Sequence, residues 1–346
     1  MGKTAILVLG SANMDLTVKV PRIPKAGETV LGGGFVSTAG GKGANQAVSA
    51  ARAGGNVVFI GRVGRDAFGN QTIAGFEAEG IRTNFIFRDR RSASGVALIL
   101  VGKDGQNQIA VAPGANANLT PSDIKRASTA FRGAAIFLTQ LETPLQTAQA
   151  GVELACANGI PVILNPAPAR ALPRRLLSKV WILTPNETEA ELLTGIAVKD
   201  NSSATRAAEQ LLARGAQNVI ITLGAKGAFV RGDGVCQLIT AHRMKAVDTT
   251  AAGDVFNGAL AVALAEGKPL IDAARFANAA AAISVGRPGA QASAPTRREI
   301  ERLLQLRRKF TPYARGIRAT GAVCLSCRPR ALTRRSNPIW VRSTQK

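Results

Sequence analysis

Residues 248–254 read Asp-Thr-Thr-Ala-Ala-Gly-Asp and place small side chains between two carboxylates. The small residues at 251–253 let the backbone approach a bound molecule closely. The apolar run at 255–264 predicts a helix whose unpaired N–H groups and positive dipole end face this turn. Such a turn can bind the oxygens of a phosphoryl group, and Asp254 can take a proton from an attacking hydroxyl. The alternative is an ordinary helix start that Asp254 caps.

Residues 40–47 form a second glycine-rich segment, Gly-Gly-Lys-Gly-Ala-Asn-Gln-Ala. Its glycines expose backbone and open a predicted helix, while Lys42 and Asn45 offer donors to hydroxyl groups. No Ser or Thr follows Lys42, so the segment is not a Walker A loop. The third residue after Gly43 is Gln46, which excludes a dinucleotide fingerprint. A simple glycine-rich turn is the alternative.

Two further segments carry weaker patterns. Residues 222–227, Thr-Leu-Gly-Ala-Lys-Gly, follow a predicted strand and could lie against a nucleotide or form a strand-ending hairpin. Residues 186–189, Asn-Glu-Thr-Glu, begin a predicted helix after Pro185. Their carboxylates either satisfy the helix dipole or hold a hydrated Mg²⁺.

Short apolar segments alternate with helical patterns along most of the chain. The predicted strands are 5–9, 57–63, 134–138, 162–164, 180–183 and 219–223, and the predicted helices are 43–53, 68–79, 145–158, 205–214, 255–266 and 270–285. This alternation predicts an α/β fold with a doubly wound, mostly parallel sheet and helices on both faces. Ligands bind such sheets beyond the carboxyl ends of the strands. The polar residues that follow predicted strands are Asn13, Asp15, Gln140, Glu142, Asn165 and Asn186.

Two pairs of segments do not fit this alternation. Residues 16–21 with 29–36, and 95–102 with 108–112, alternate in hydrophobicity like exposed strands joined by turns. They predict a small accessory β-sheet. Such a sheet serves either as a lid that excludes water from an active site or as an ordinary edge hairpin.

The net charge of +22 is concentrated near the C-terminus. Residues 302–346 contain twelve Lys or Arg and no Asp or Glu, which leaves +10 for residues 1–301. Helix and strand patterns stop after Leu304. We therefore predict a folded domain at 1–304 and a basic, disordered tail at 305–346. We expect the tail to bind nucleic acid at most nonspecifically.

Several classes of protein are excluded by composition. The single histidine, His242, cannot supply an HExxH motif or a three-histidine metal site, so acid–base chemistry must come from carboxylates or Lys. We predict that His242 lies before a short strand, on the surface or in packing. Cys324 and Cys327 form a CxxC without a second pair, which argues against zinc. No apolar run approaches the ~18 residues of a membrane span and no signal peptide is visible, so we predict a cytoplasmic protein.

Five segments in the same order resemble the phosphofructokinase-B type carbohydrate kinase family. They are residues 10–15, 40–47, 165–170, 184–189 and 248–254, and the resemblance covers about residues 4–304. It implies ATP-dependent phosphorylation of D-ribose at the 5-hydroxyl, with the accessory strands as a lid and as the contact of a homodimer. The basic tail is a departure, because the family does not need it.

The resemblance also implies residue roles. Asp254 would be the general base, and the anion hole would be formed by the N–H groups of Ala251, Ala252 and Gly253. The implied sugar-binding residues are Asn13, Asp15, Gly41, Lys42, Asn45, Glu142 and Asp254. The implied ATP-binding residues are Asn186, Thr222, Gly224, Gly227, Gly253 and Asn278. Glu189 would hold Mg²⁺ through water. The implied K⁺ site consists of Asp248, Thr250, Ser284, Arg287, Gly289 and Ser293.

Two alternatives stay open at this point. A sister kinase acting on deoxyribose or another furanose would carry the same motifs, because one hydroxyl distinguishes the substrates. A nucleic-acid-binding protein built on an inactive kinase fold would explain the basic tail. The intact Asp254, Gly253 and Lys42 oppose that second alternative.

Overall fold

The computed structural model describes residues 5–309, which fold around a nine-stranded β-sheet. In chain order its strands are β1 (Ala5–Leu9), β4 (Asn56–Gly64), β5 (Arg82–Asp89), β8 (Ala134–Thr139), β9 (Val162–Leu164), β10 (Ile182–Leu183), β11 (Asn218–Thr222), β12 (Gly227–Gly232) and β13 (Val235–Thr240). They lie in the order β13-β12-β11-β10-β9-β8-β1-β4-β5. The strands from β11 to β5 run parallel, and β12 is antiparallel to both of its neighbours. The predicted mostly parallel sheet is confirmed.

Helices cover both faces of this sheet. They are α1 (Lys42–Arg52), α2 (Ala67–Ala78), α3 (Pro121–Arg126), α4 (Leu145–Ala157), α5 (Arg174–Leu177), α6 (Glu187–Thr194), α7 (Asn201–Ala213), α8 (Ala252–Ala265), α9 (Leu270–Ser284) and α10 (Arg297–Lys309). Side chains alternate across β1, so Ile6 and Val8 pack in one core with α1, α8 and α9. Leu7 and Leu9 pack in a second core with α4 and α7. The sheet is therefore doubly wound, as predicted.

Three strands and several boundaries were not predicted. Strand β5 was missed because its residues are mostly half-buried, so it lacks a continuous apolar run. Strands β12 and β13 were missed although Asp233 and Gly234 between them are a hairpin-turn pair. Helix α7 begins at Asn201 instead of 205, because the Asp200 side chain caps it by accepting the Ser203 N–H at 2.7 Å.

A separate four-stranded sheet forms beside the main one. Its strands are β2 (Asn13–Lys19), β3 (Phe35–Gly40), β6 (Gly95–Val101) and β7 (Asn107–Ala112), in the order β3-β2-β6-β7. The accessory pair predicted at 95–102 and 108–112 is confirmed. The strand predicted at 29–36 is wrong. Residues 29–34, which include three glycines at 32–34, form no strand, and β3 starts at Phe35. Strands β2 and β3 stay paired up to Asn13 and Gly40, and Asn13 follows the end of β1 by four residues.

The register of this small sheet gives it two different faces. Asp15 pairs with Ala97, which pairs with Val111, so these three side chains share one face with Ile109. Leu98 lies on the opposite face, together with Phe35. Apolar side chains on both faces are exposed, including Leu98 at 54% and Ile109 at 56%.

Helices α1 and α8 lie in close contact, and this contact brings two of the glycine-rich segments together. A Cβ atom at Gly258 would lie 2.5 Å from the Gln46 carbonyl oxygen, so only glycine allows the two backbones to approach this closely. Asp254 and Asn45 lie on the facing sides of these helices and are hydrogen-bonded.

The C-terminal helix α10 runs to Lys309, five residues beyond the boundary predicted at Leu304. Residues 310–346, most of the predicted tail, lie outside the described residues, so the disorder and any nucleic-acid contact of the tail remain predictions. Within residues 5–309, no helix is both long enough and apolar enough to cross a membrane.

Candidate active site

Helix α8 begins at Ala252, three residues before the predicted start, so Asp254 lies in its first turn. Ala251 precedes the helix with φ of 59°, a left-handed conformation that costs a non-glycine residue about 1 kcal/mol. Asp248 holds this turn in place, since its carboxylate accepts the N–H groups of Thr250 and Gly289, each at 2.9 Å.

Two of the three N–H groups predicted to form an anion hole are unpaired donors. Among the described residues, the N–H groups of Ala251 and Gly253 have no hydrogen-bond acceptor, whereas that of Ala252 has a long contact of 3.3 Å with the Thr249 oxygen. A Cβ atom built at Gly253 would meet no atom within 4 Å, so this backbone faces open space. An anion at the helix start would therefore find free donors and the positive dipole end.

Asp254 is buried and held by two amides of helix α1. Asn45 Nδ2 donates to one carboxylate oxygen and Gln46 Nε2 to the other, both at 3.0 Å. Burial raises the pKa of Asp254, and although Lys42 and the two amides oppose this shift, the pKa stays above its usual value. A carboxylate with a raised pKa is a stronger base, as proton abstraction requires.

A chain of buried amides fixes the orientation of Gln46. Gln140 Nε2 donates to Gln46 Oε1 at 2.5 Å, which leaves Gln46 Nε2 to face Asp254 and Asn165 Oδ1. Asn165 in turn donates to the Thr184 carbonyl at 2.9 Å. Sequence analysis placed Gln140 and Asn165 at strand ends without giving them a role. Their position after neighbouring parallel strands was the available indication.

A second group of charges lies at the start of α1. Glu142 accepts the Ser11 hydroxyl at 2.6 Å and the Lys42 backbone N–H at 3.0 Å. Burial lowers the pKa of the Lys42 ammonium, but the carboxylates of Asp254, Glu142 and Glu189 together outweigh burial and raise it. Lys42 is therefore a charged ammonium between three acidic groups.

Asp15 and Asn45 carry oxygens that are free to accept hydrogen bonds. Asp15 accepts none from the described residues, and burial followed by repulsion from Glu142 raises its pKa to about 6. A Cβ atom at Gly40 would lie 2.2 Å from the Asp15 carboxylate, so glycine makes room for it. Asn45 Oδ1 is buried without a partner in the described part of the chain. Acceptors of this kind are satisfied when a bound hydroxyl donates to them.

The remaining predicted sugar residues lie in the same region. Gly41 has a φ of 88°, and a Cβ there would lie 2.8 Å from the Asn13 backbone nitrogen. Asn13 itself starts β2 and is largely buried. The residues predicted to bind the sugar come from four separate parts of the chain. Close approaches and hydrogen bonds nevertheless link them, from Asn13 through Lys42 to Asp254.

A cavity of about 600 Å³ opens beside the start of α8. Its lining includes every predicted ATP-binding residue: Asn186, Thr222, Gly224, Gly227, Gly253 and Asn278. Its volume falls within the range of about 300–1,000 Å³ that small-molecule sites occupy. His242 also lines this cavity and follows β13, so its predicted place before a strand is wrong. Sequence reasoning missed Phe256, which adds an apolar wall.

A smaller cavity of about 160 Å³ connects this region with Asp254. Lys42, Glu189 and Asp254 line it, and it shares Asn186 and Gly253 with the larger cavity. The two cavities therefore adjoin at the start of α8, next to the buried carboxylate of Asp254.

Glu189 has a structural role as well as a place in the site. It forms a capping box with Asn186, in which Glu189 Oε2 accepts the Asn186 N–H at 2.9 Å and Asn186 Oδ1 accepts the Glu189 N–H at 2.7 Å. Burial raises the pKa of Glu189, and Asp254 adds to that shift while Asn186 and Lys42 oppose it.

The six residues of the implied K⁺ site lie around the Asp248 turn and the end of α9. Arg287 pairs with Glu299 at 2.5 Å, and the hydroxyls of Ser284 and Ser293 donate to backbone carbonyls. No cluster of three or more His, Cys, Asp or Glu suited to a metal occurs within the described residues. Any cation here would depend on Asp248 and on backbone oxygens.

The parallel sheet, the free N–H groups at the start of α8 and the buried carboxylate of Asp254 are the features that a phosphotransferase requires. A family model described as "pfkB family carbohydrate kinase" matches residues 3–297. The chain is 46% identical over 305 residues to a ribokinase from Haemophilus influenzae, covering 88% of this chain and 99% of that protein. It is 38% identical over 302 residues to a deoxyribokinase from Salmonella typhi, covering 87% and 99%.

A solved structure agrees with these sequence matches. The chain superimposes on Arabidopsis thaliana ribokinase complexed with ribose and ATP with a TM-score of 0.83 at 34% identity, covering 88% of this chain and 99% of that one. The chain therefore belongs to the pfkB family of carbohydrate kinases.

Replacing Asp15 by Asn is expected to stabilise the fold above pH 6. The folded-state pKa is about 6 against an ordinary value of 3.8. Between pH 3.8 and pH 6 the unfolded chain has lost a proton that the folded protein keeps, so the free energy of unfolding falls as pH rises. Above pH 6 Asp15 is ionised in both states, and the fold carries the full cost of its charge. Urea unfolding at pH 8 should show a gain of up to about 3 kcal/mol in the free energy of unfolding.

Urea unfolding of Asp15→Asn at acidic pH tests whether the raised pKa is the cause. Near pH 4 the gain should largely disappear, because the folded wild-type protein then keeps its proton and the unfolded chain has lost only about half of its own. Asp233→Asn, in the exposed turn between β12 and β13, is the matched control and should change stability little at either pH. An Asp15→Asn variant with the same gain at both pH values would contradict the raised pKa.

Proposed function

We propose that this chain transfers the γ-phosphoryl group of ATP to the 5-hydroxyl of D-ribose, giving ribose 5-phosphate and ADP. The observation that carries the proposal is the buried carboxylate of Asp254, held by Asn45 and Gln46 next to the free N–H groups at the start of α8. The identity to ribokinases and the likeness to a ribokinase bound to ribose and ATP support the choice of substrates.

The mechanism follows from where each charge lies. The ribose oxygen forms a bond to the γ-phosphorus, the bond from that phosphorus to the β-phosphate oxygen breaks, and the hydroxyl proton passes to Asp254. The N–H groups of Ala251, Ala252 and Gly253 stabilise the transferring oxygens, because they are fixed before the reaction and need no reorganisation. Lys42 adds a positive charge beside the same small cavity.

Sugar recognition is assigned to the half-buried polar groups around α1 and β2. Asp15, Asn45 and Glu142 offer acceptor oxygens to ring hydroxyls, while Lys42 and Asn13 offer donors. The backbone at Gly41 allows the sugar to approach. The proposed ring site thus adjoins Asp254, as in-line attack by the 5-hydroxyl requires.

The nucleotide is assigned to the larger cavity. Thr222, Gly224, Gly227 and Asn278 line it, and Asn186 and Gly253 also line the smaller cavity, where the γ-phosphate would lie. A Cβ atom at Gly227 would lie 2.0 Å from the Ile239 oxygen, so the glycine is required for the loop itself.

Two cations complete the proposal. Glu189 would hold Mg²⁺ through water, which fits the preference of that ion for carboxylate oxygens and retained waters. The K⁺ residues Asp248, Thr250, Ser284, Arg287, Gly289 and Ser293 lie next to the turn that carries the anion hole. A bound cation supplies charge neutralisation for the phosphates and rigidity for that turn.

The use of ATP supports a cytoplasmic location.

The four-stranded sheet β3-β2-β6-β7 is proposed to serve as lid and dimer contact. The face that carries Asp15 also carries Ile109 and Val111, which would cover the sugar and exclude water. The opposite face exposes Leu98 and Phe35, an apolar surface suited to a second copy of the chain.

Leu98→Lys is expected to convert a dimer into a monomer, because the charge would be buried in an apolar contact. Leu192→Lys is the matched control, since Leu192 is 69% exposed on α6, far from this sheet in the sequence. Sedimentation velocity at micromolar concentration measures the outcome. A monomeric wild-type protein would refute the dimer proposal.

Asp254→Asn is expected to lower kcat by about 10²–10⁴-fold, the usual contribution of a general base. Asn keeps the shape of the side chain, so KM for ATP and the unfolding temperature should change little. An ATP-coupled assay measures the rate, with Asp233→Asn as the carboxylate-removing control. A loss of less than about tenfold would mean that another group accepts the proton.

Ribose should be preferred over 2-deoxyribose by roughly tenfold or more in kcat/KM, because an acceptor left without its hydroxyl costs about 1–3 kcal/mol. The experiment is the same assay over ribose, 2-deoxyribose, fructose and nucleosides. Equal values for the first two sugars would favour the deoxyribose kinase alternative. No turnover of any sugar would overturn the proposed function as a whole.

A further inference from the structure

The side chain of Asn116 is buried in the 3₁₀ turn Gly114–Asn118, directly after lid strand β7. Its Oδ1 accepts the backbone N–H of Ala12 at 3.0 Å. Its Nδ2 lies 2.8 Å from Asn13 Oδ1, 3.2 Å from the Ala12 carbonyl and 3.0 Å from the Pro113 carbonyl. Every polar atom of this carboxamide is therefore engaged, which fixes its position.

These contacts also decide which way two amides point. A backbone N–H can only donate, so the atom of Asn116 that faces Ala12 must be the oxygen. The nitrogen of Asn116 then faces Asn13, and the atom of Asn13 that meets it must likewise be an oxygen. The Nδ2 of Asn13 is left as a donor without an acceptor among the described residues, and it is not a fully buried atom.

Three strands of the lid sheet begin or end at this amide pair. Strand β2 starts at Asn13, β6 starts at Gly95, and β7 is followed by Pro113. A Cβ atom at Gly95 would lie 2.3 Å from Asn13 Oδ1 and 2.4 Å from Asn116 Nδ2, so glycine is what allows the pair to form. The orientation of Asn13 thus depends on how the base of the lid is assembled.

We propose that Asn116 is a positioning residue for sugar binding, which holds the Asn13 amide so that Nδ2 donates to a sugar oxygen. The inference rests on the proposed function, because it takes Asn13 as a sugar contact. Asn116 acts through Asn13 and through the base of the lid, and it does not contact the sugar itself. Because Asn116 leaves Asn13 with a free donor, this position recognises a sugar oxygen that accepts a hydrogen bond.

Asn116→Asp tests the proposal with a side chain of nearly equal shape. The carboxylate keeps the bond from Ala12 N–H but has no donor for Asn13, whose amide then turns over and presents Oδ1 to the sugar. KM for ribose should rise about tenfold or more, as expected for a lost hydrogen bond, with kcat and the KM for ATP within about twofold. Asn118→Ala, in the same turn but bonded to Asp89 and Ser92, is the control and should leave all three constants unchanged.

A double-mutant cycle separates this role from a general structural one. Asn13→Ala alone should raise KM for ribose, and adding Asn116→Asp should raise it no further than about twofold, because the effect passes through Asn13. Additive effects would overturn the proposal. So would an Asn116→Asp variant whose KM for ribose equals that of the wild type.

Gly95→Ala gives an independent test if Asn116→Asp does not fold. The new Cβ would push the Asn13 and Asn116 amides apart although both residues are retained, so the same selective rise in KM for ribose is expected. An unchanged KM in this variant counts against the inference. A wild-type protein that does not phosphorylate ribose would instead contradict the proposed function, and the two failures are therefore distinguishable.

Discussion

The buried carboxylate of Asp254 imposes the main constraint on this structure. A buried charge is tolerated only when donors surround it. Asn45 and Gln46 supply those donors from α1, and they reach Asp254 only because Gly258 lets α8 approach α1 closely. Gln140, at the end of β8, keeps Gln46 in the required orientation. Helix packing, strand ends and the base are thus parts of one arrangement.

The electrostatics of the site explain why an anionic nucleotide can bind beside acidic groups. Asp254, Glu142 and Glu189 surround Lys42. Burial and repulsion from Glu142 raise the pKa of Asp15, and burial and repulsion from Asp254 raise that of Glu189. The N-terminus of α8 offers positive partial charge without adding a side chain. The acidic groups proposed to bind hydroxyls and the helix end proposed to bind phosphate therefore occupy adjacent but separate positions.

The four-stranded sheet shares residues with the proposed sugar site, so a change in one is expected to alter the other. Strand β2 carries Asp15 in its middle and starts at Asn13, while β3 ends at Gly40 beside the glycine turn of α1. Asn116 connects the end of β7 to the same place. Movement of the four-stranded sheet would therefore shift the proposed sugar contacts Asn13 and Asp15 through a few short hydrogen bonds.

The sequence by itself determined the class of fold and most of the local chemistry. Strand and helix periods are local, so the parallel strands, the main helices and the glycine-rich turns could be predicted. Polar residues at strand ends, including Gln140 and Asn165, could be placed at the ligand-binding edge but not given partners. The segment 29–36 was misplaced because hydrophobic alternation does not show where three glycines end a strand pairing.

Only the tertiary structure decided how the site is connected. The bond from Asn45 to Asp254 joins residues 209 positions apart, and that from Asn116 to Asn13 joins residues 103 positions apart. No periodicity within a segment encodes such contacts, because they depend on how complete helices and strands pack. The start of α8 is another example. The Asp248 carboxylate fixes the turn before the helix by accepting the N–H of Gly289, which lies 41 positions away.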